Sequence, residues 1–167
     1  MTVDTEKEAL ALQTLERLLS QHKTASLATS DTQGRPLVSY APVAVDDRRR
    51  FYLFVSELAD HTANLARQGE ISLMLIEDES ASKQLFARGR LTVNGTVRKI
   101  ERESDEWSFA SEVYRGRFGK FFDQLATLRD FHMFCLTPRD ARLVVGFGAA
   151  YEVGLPEWRQ LTLQTGK

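Results

Sequence analysis

Apolar positions recur along this chain at two different periods, and the switches between them mark its elements. From Gln84 to Val97 the period is two. Leu85, Ala87, Leu91, Val93 and Val97 fall on one side, and Gln84, Phe86, Arg88, Arg90, Thr92, Asn94 and Thr96 on the other, as a strand with one buried face requires. The preceding stretch Ile71–Ile76 is more uniformly apolar and predicts a fully buried strand. Near the N-terminus the period is helical. Leu12, Leu15, Leu18 and Leu19 share one stripe behind Thr5-Glu-Lys-Glu8, which has the spacing of a capping box, so residues 1–22 predict a docking helix of roughly four turns.

Thr24–Ser30, a turn at Gln33-Gly34 and Leu37–Val45 read as an antiparallel hairpin. Asp46–Arg50 turns the chain into a strand over Phe51–Val55. A short helix is predicted over Ser56–Gln68, with Ser56 as its cap and His61, Thr62 and Asn64 in its first turns. A second helical region, Ser104–Leu128, carries Trp107, Ala110, Tyr114, Phe118, Phe121 and Leu125 at spacings of three and four, with Gly116 and Gly119 permitting a break. Aromatics so spaced more often build a core than a cofactor box. Strands over Phe131–Thr137 and Arg142–Phe147 and the glycine-bearing Gly146–Tyr151 follow. Short strands with frequent turns and few helices predict an α+β, mainly β fold: a six-stranded antiparallel barrel with flanking helices. Residues 1–167 then form a single domain, with the docking helix at 1–22, the barrel and its inserted helices at 24–151, and a tail at 152–167.

Composition narrows the partners. The 22 basic and 23 acidic residues give a net charge of −1, so no global field favours nucleic acid or an anionic membrane surface. No apolar run approaches the roughly 20 residues that span a bilayer, and the acidic, amphipathic N-terminus is unlike a secretory leader. Cys135 is the single cysteine and reads as a buried structural thiol in a reducing compartment. A cytoplasmic protein is expected.

Candidate chemistry is sparse. His22 falls at the predicted end of the first helix, where an imidazolium meets the helix dipole. His132 alternates with Phe131 and Met133 on a strand, and His61 opens the short helix with the best functional prospects of the three. No Cys/His cluster has zinc spacing, and Gly146-Phe-Gly148 is too short for a phosphate loop or dinucleotide fingerprint. The acids Glu77-Asp-Glu79 and the arginines Arg48-Arg-Arg50 read as a solvated edge and a solvated turn. On the polar face of the alternating strand, Gln84, Arg88 and Arg90 set a planar amide beside two fixed charges, which suits a flat anionic ligand or a partner subunit.

Several ordered motifs share one pattern: Ser39-Tyr-Ala-Pro42, His61-Thr-Ala-Asn-Leu65, Leu73–Glu79, Gln84-Leu-Phe-Ala-Arg88, Glu101–Trp107, Arg117-Phe-Gly119, Asp130-Phe131 and Val145–Tyr151. Over about Thr24 to Tyr151 the chain resembles the haem-utilisation (HugZ/HutZ-like) branch of the pyridoxamine 5'-phosphate oxidase-like split barrels. The resemblance implies a homodimer with two equivalent clefts at the subunit interface that take haem or flavin mononucleotide (FMN). In its flavin oxidases, cations on the strand matching Leu37–Val45 and a Ser-Arg-Lys run hold the flavin phosphate. Here those places carry Ser39 and Ala44, and Glu57, Leu58 and Asp60, while Gln84 matches a flavin-contacting position. Haem is therefore the leading cofactor and FMN the alternative. By this resemblance Ser39, Tyr40, Ser56, Thr62, Gln84, Arg88 and Arg90 are ligand-binding candidates, with the arginines facing haem propionates. Only one of Ser39 and Tyr40 can line the cleft, because neighbours on a strand point to opposite faces. His61 and Asp130 match a histidine and an acidic residue of haem-degrading relatives, and His61, Asp130 or Lys167 is expected to act near the iron. A C-terminal Gly-His of haem-degrading relatives aligns with Gly166-Lys167, so the sequence leaves the metal ligand open. The activities implied are haem degradation with electrons from an unknown donor, haem carriage or sensing without catalysis, or flavin-dependent oxidation.

Overall fold

Six strands close on themselves because the longest of them pairs on both edges. The computed structural model describes residues 2–67 and 69–164, with side chains from Glu6 onward. β1 (Thr24–Ser30), β2 (Pro36–Val45), β3 (Phe51–Ser56), β4 (Glu70–Ile76), β5 (Arg90–Ile100) and β6 (Phe131–Gly146) are joined in the order β3-β2-β1-β4-β5-β6. Antiparallel pairing of β3 with β6 shuts the barrel, with Phe51 opposite Leu136 and Ser56 opposite Phe131. The fold is α+β and mainly β, a six-stranded antiparallel barrel as expected. β7 (Ala149–Val153) and β8 (Leu161–Leu163) extend the sheet beyond β6.

Strand parity creates two cores. Inward residues such as Leu27, Val43, Phe51, Leu53, Leu73, Leu91, Val93 and Phe134 fill the barrel, joined by Ala11, Leu15, Leu18 and Leu19 of the long N-terminal helix α1 (Thr2–Gln21). Outward Tyr52 and Phe54 of β3, with Met133 and Cys135 of β6, meet Ala110 and Tyr114 of α3 (Asp105–Phe118) and Phe122 of α4 (Lys120–Ala126). β3 is apolar on both faces for this reason. Phe54 is the hub of the second core, with the rings of Trp107, Tyr114, Phe122 and Phe131 at centroid distances of 6.0, 6.0, 5.1 and 5.2 Å. Cys135 is fully buried there, and burial pushes its thiol above the usual range.

Several sequence expectations change in detail. The helix expected over Ser56–Gln68 is α2 (Asp60–Arg67); Ser56 ends β3 instead of capping a helix. The alternation read from Gln84 is a strand only from Arg90. Leu85–Ala87 form a 3₁₀ turn capped by the Gln84 side chain, which accepts from the Phe86 amide, so Gln84 and Arg88 do not share a sheet face with Arg90. The two strands expected over Phe131–Phe147 are one continuous β6, with its register shift opposite Asn94 and Gly95. Thr5 lies within α1 instead of at its start. The cation that closes α1 is Arg117 rather than His22: its guanidinium donates to the carbonyls of Leu19, Ser20 and His22. The arginine-rich turn is organised by a buried carboxylate. Asp46 accepts from the Arg48 and Arg50 amides, the Arg50 guanidinium and the Tyr52 hydroxyl. No helix among the described residues is long and apolar enough to cross a membrane.

Candidate functional site

A cleft of about 260 Å³ opens where the middle of β2 and the end of β3 meet α2, α3 and α4. Its walls are apolar and largely aromatic: Tyr40 and Pro42 from β2, Phe54 from β3, Tyr114 and Phe118 from α3, Phe121, Phe122 and Leu125 from α4, and Phe131 opening β6. The helical spacing of the aromatics builds both structures at once. Ala110, Tyr114 and Phe122 are buried in the outer core, whereas Phe121 is 63% exposed and turns towards the opening. Reading that stripe as core alone missed the cleft wall. Gly119, with φ of +67°, turns the chain from α3 into α4 and so gives the wall two helical segments.

Four polar side chains line this surface: Tyr40, Ser56, His61 and Tyr114. The Tyr114 hydroxyl donates to the Pro42 carbonyl at 3.0 Å, and burial holds its ionisation well above the usual phenol range. Tyr40 stands at the rim, 65% exposed. Ser39 points the other way, its Oγ buried without a hydrogen-bond partner, so Tyr40 is the member of this pair in the cleft.

His61 sits in the first turn of α2 and is 8% exposed. The helix is pinned around it: the Thr62 hydroxyl donates to the Ser56 carbonyl at 2.5 Å, and the Asn64 amide to Thr29 Oγ1 at 3.1 Å. Thr62 is thus committed to the frame. Burial pushes the His61 imidazolium below the ordinary histidine range, with Asp60 opposing more weakly, so at neutral pH the ring is uncharged with one free nitrogen lone pair.

Asp130 lies in the turn before β6 and is held to the end of β3 twice. Its Oδ2 accepts from the Ser56 hydroxyl at 2.8 Å, and its carbonyl accepts from the Glu57 amide at 2.8 Å. His132 Nε2 meets Glu57 Oε1 at 2.5 Å beside them. Gln84, Arg88 and Arg90 are not among the lining residues. Gln84 and Arg88 flank the 3₁₀ turn; Arg88 donates through Nε to the Glu77 carbonyl at 3.1 Å and pairs with Glu79 at 3.1 Å, and Arg90 donates to the Arg88 carbonyl at 3.1 Å. Glu77 and Asp78 of the acidic run are likewise used internally: Glu77 accepts from the Gly89 amide and pairs with Arg17, and Asp78 caps a 3₁₀ turn. Lys167 lies outside the described residues.

The donor set discriminates between cofactors. Haem needs apolar cover for its flat faces, a ligand for its iron and donors for two propionates. The aromatic walls and the neutral imidazole of His61 fit the first two. FMN presents a phosphate dianion, and no Lys or Arg lines the cleft, while Glu57 and Asp60 flank it. Replacing charge-assisted bonds, each worth roughly 1.5 to 3 kcal/mol, by acidic neighbours opposes that ligand. No cluster of three or more His, Cys, Asp or Glu positioned for a metal ion occurs among the described residues.

Comparison with known proteins agrees with this architecture. The family model for pyridoxamine 5'-phosphate oxidase matches residues 11–145. The haem oxygenase HutZ of Vibrio cholerae is 42% identical over 139 residues, 83% of this chain and 78% of that protein. A crystal structure of V. cholerae HutZ, described as a haem storage protein, superposes with a TM-score of 0.73 at 39% identity, covering 79% of this chain and 92% of that one. Campylobacter jejuni ChuZ shares the fold, with a TM-score of 0.77 at 24% identity over 98% of this chain and 63% of its own. The chain therefore belongs to the pyridoxamine 5'-phosphate oxidase family of barrels, in the haem-utilisation branch that includes HutZ.

Proposed function

We propose that this chain binds haem in haem utilisation and works as a homodimer, with the aromatic cleft as one half of each binding site. The observation that carries this reading is the pairing of a mainly apolar, aromatic wall with a buried, neutral histidine and no lining cation. The volume supports a shared site. Pockets that engulf a drug-sized ligand run from about 300 to 1,000 Å³, so a cleft of 260 Å³ covers only part of a haem. The missing cations also argue for a second copy, which supplies Arg88 and Arg90, with Gln84, to the propionates. Apolar residues exposed on β2, Val38 at 77% and Tyr40 at 65%, give that copy a surface to cover. A cytoplasmic setting accords with the buried free thiol of Cys135.

Haem degradation is the proposed use of the site, because the relative at 42% identity is a haem oxygenase. Bound haem supplies the iron that activates oxygen, with electrons from a separate donor. This chain's own contribution is to exclude water with the aromatic walls, to orient the macrocycle, and to fix the Asp130 carboxylate through the Ser56 hydroxyl as a hydrogen-bond acceptor beside the site. The test is titration of the purified protein with haemin and, separately, with FMN. A saturable Soret shift at one haem per site, followed by loss of that band with ascorbate and oxygen, is expected. A stable Soret band under the same conditions assigns storage or transport instead. Quenching of flavin fluorescence with no Soret shift removes the haem reading and restores the flavin oxidase.

A further inference from the structure

The chain contains three histidines, and the structure gives each a different situation. His132 is bonded to Glu57. His22 lies just beyond α1 with its Nδ1 buried and unpartnered, but it does not line the cleft. His61 lines the cleft, is more than nine-tenths buried, and has no hydrogen-bond partner among the described residues. The His61 ring nitrogens are not among the buried side-chain atoms left without a partner, so an unengaged nitrogen at the wall of an apolar cleft is open to water or to a group that enters it.

The alternatives in the cleft are two phenols. Tyr114 is engaged with the Pro42 carbonyl, and Tyr40 is largely in water at the rim; each must lose a proton before it can ligate a metal strongly. The sulfurs of Met133 and Cys135 are sealed in the outer core and do not line the cleft. A neutral imidazole needs no such step, and the bonds of Thr62 and Asn64, one and three residues after it, keep α2 from swinging.

We infer that His61 is the protein ligand to the iron of a haem seated in this cleft, bonding through its unprotonated ring nitrogen. The inference rests on the haem reading and deepens it. Metal-bound histidines ordinarily donate their second N–H to a carboxylate or carbonyl. His61 has none among the described residues, so the ligand is a neutral imidazole without anionic character.

Titration of the full chain with haemin, with resonance Raman of the ferrous complex and electron paramagnetic resonance of the ferric one, tests this. The wild type is expected to show an iron–histidine stretching band. His61→Ala is expected to lose it and to raise the haemin Kd at least about tenfold, the lower bound set by what losing one outer-shell partner of a metal ligand costs. Added imidazole restores the band in the variant, and His61→Gln, closer in size, repeats the loss with an unchanged circular dichroism spectrum. Tyr40→Phe leaves the band in place. Identical spectra for wild type and His61→Ala overturn the inference and leave the haem reading standing. Failure of the wild type to bind haemin stoichiometrically removes both.

Discussion

Ser56 donates its hydroxyl to Asp130 Oδ2 at 2.8 Å although 74 residues separate them. The contact ties the end of β3 to the turn that starts β6, beside the Glu57 amide bonded to the Asp130 carbonyl at 2.8 Å. Both anchors adjoin Ser56 and Phe131, which line the cleft, so they steady its wall and close the barrel at once. Ser56→Ala and Asp130→Asn should each cost about 1 to 2 kcal/mol, and the double variant less than their sum by about 1 kcal/mol. Urea unfolding of the four proteins measures this; strictly additive losses mean the bond contributes nothing in solution.

Arg102 performs a similar task for the cleft wall. Its guanidinium donates to the carbonyls of Ala126, Leu128 and Phe131 at 2.9, 2.6 and 2.9 Å and lies 4.5 Å over the Trp107 ring. The last turn of α4 and the first residue of β6 therefore hang on one side chain. Arg102→Ala should remove about 3 kcal/mol, a fall in Tm of roughly 6 to 12 °C for a chain of this size. Arg102→Lys should recover less than half, because an ammonium has no planar fork to serve three carbonyls. Full recovery by lysine in a thermal melt contradicts this assignment.

Two glycines give opposite expectations for the same substitution. A Cβ on Gly95 would sit 2.2 Å from the Thr137 carbonyl oxygen, at the register shift between β5 and β6. Backbone must move, so Gly95→Ala should cost more than about 3 kcal/mol. Gly116 lies within α3 with open space around it. There Gly116→Ala should stabilise by about 0.5 to 1 kcal/mol, through the smaller entropy of the unfolded chain. Paired thermal melts decide both signs.

The barrel was legible where a strand carries its burial in parity, as β5 does with Leu91, Val93 and Val97 inward, whereas β3, apolar on both faces, has no such parity. What escaped the sequence was set by contacts distant along the chain. Gln84–Ala87 alternates like a strand, yet a three-residue 3₁₀ turn has no periodic signature, and the Arg88 bond to the Glu77 carbonyl selects it. The sequence predicts separate strands over Phe131–Thr137 and Arg142–Phe147; β6 runs through because Pro138 between them faces Gly95 at the register shift, where the ladder already loses a bond. Site legibility was divided for the same reason. His61 and Tyr40 meet in one cleft with Ser56, but Phe118, Phe121 and Leu125 have the pattern of an ordinary helix core, and only the break at Gly119 turns part of that stripe towards the opening.

The buried imidazole also sets a pH dependence in the haem-free protein. Burial holds the folded-state pKa of His61 below the ordinary value of about 6.5, and Asp60 offsets only part of this. Between those two values the unfolded chain binds a proton that the folded chain refuses, so stability rises with pH across the window and is lost as pH falls through it. One such group contributes a slope of at most about 1.4 kcal/mol per pH unit. Asp31, Glu77 and Asp78 are all held below the usual carboxylate range and act further down in pH, while Tyr114, which also lines the cleft, ionises far above it. Urea midpoints taken from pH 7.5 downwards should therefore begin to fall near pH 6.5 in the wild type and stay level over that first stretch in His61→Gln. Parallel profiles for the two proteins mean that His61 is not the group responsible, and the burial that leaves its lone pair free for a ligand is then not maintained in solution.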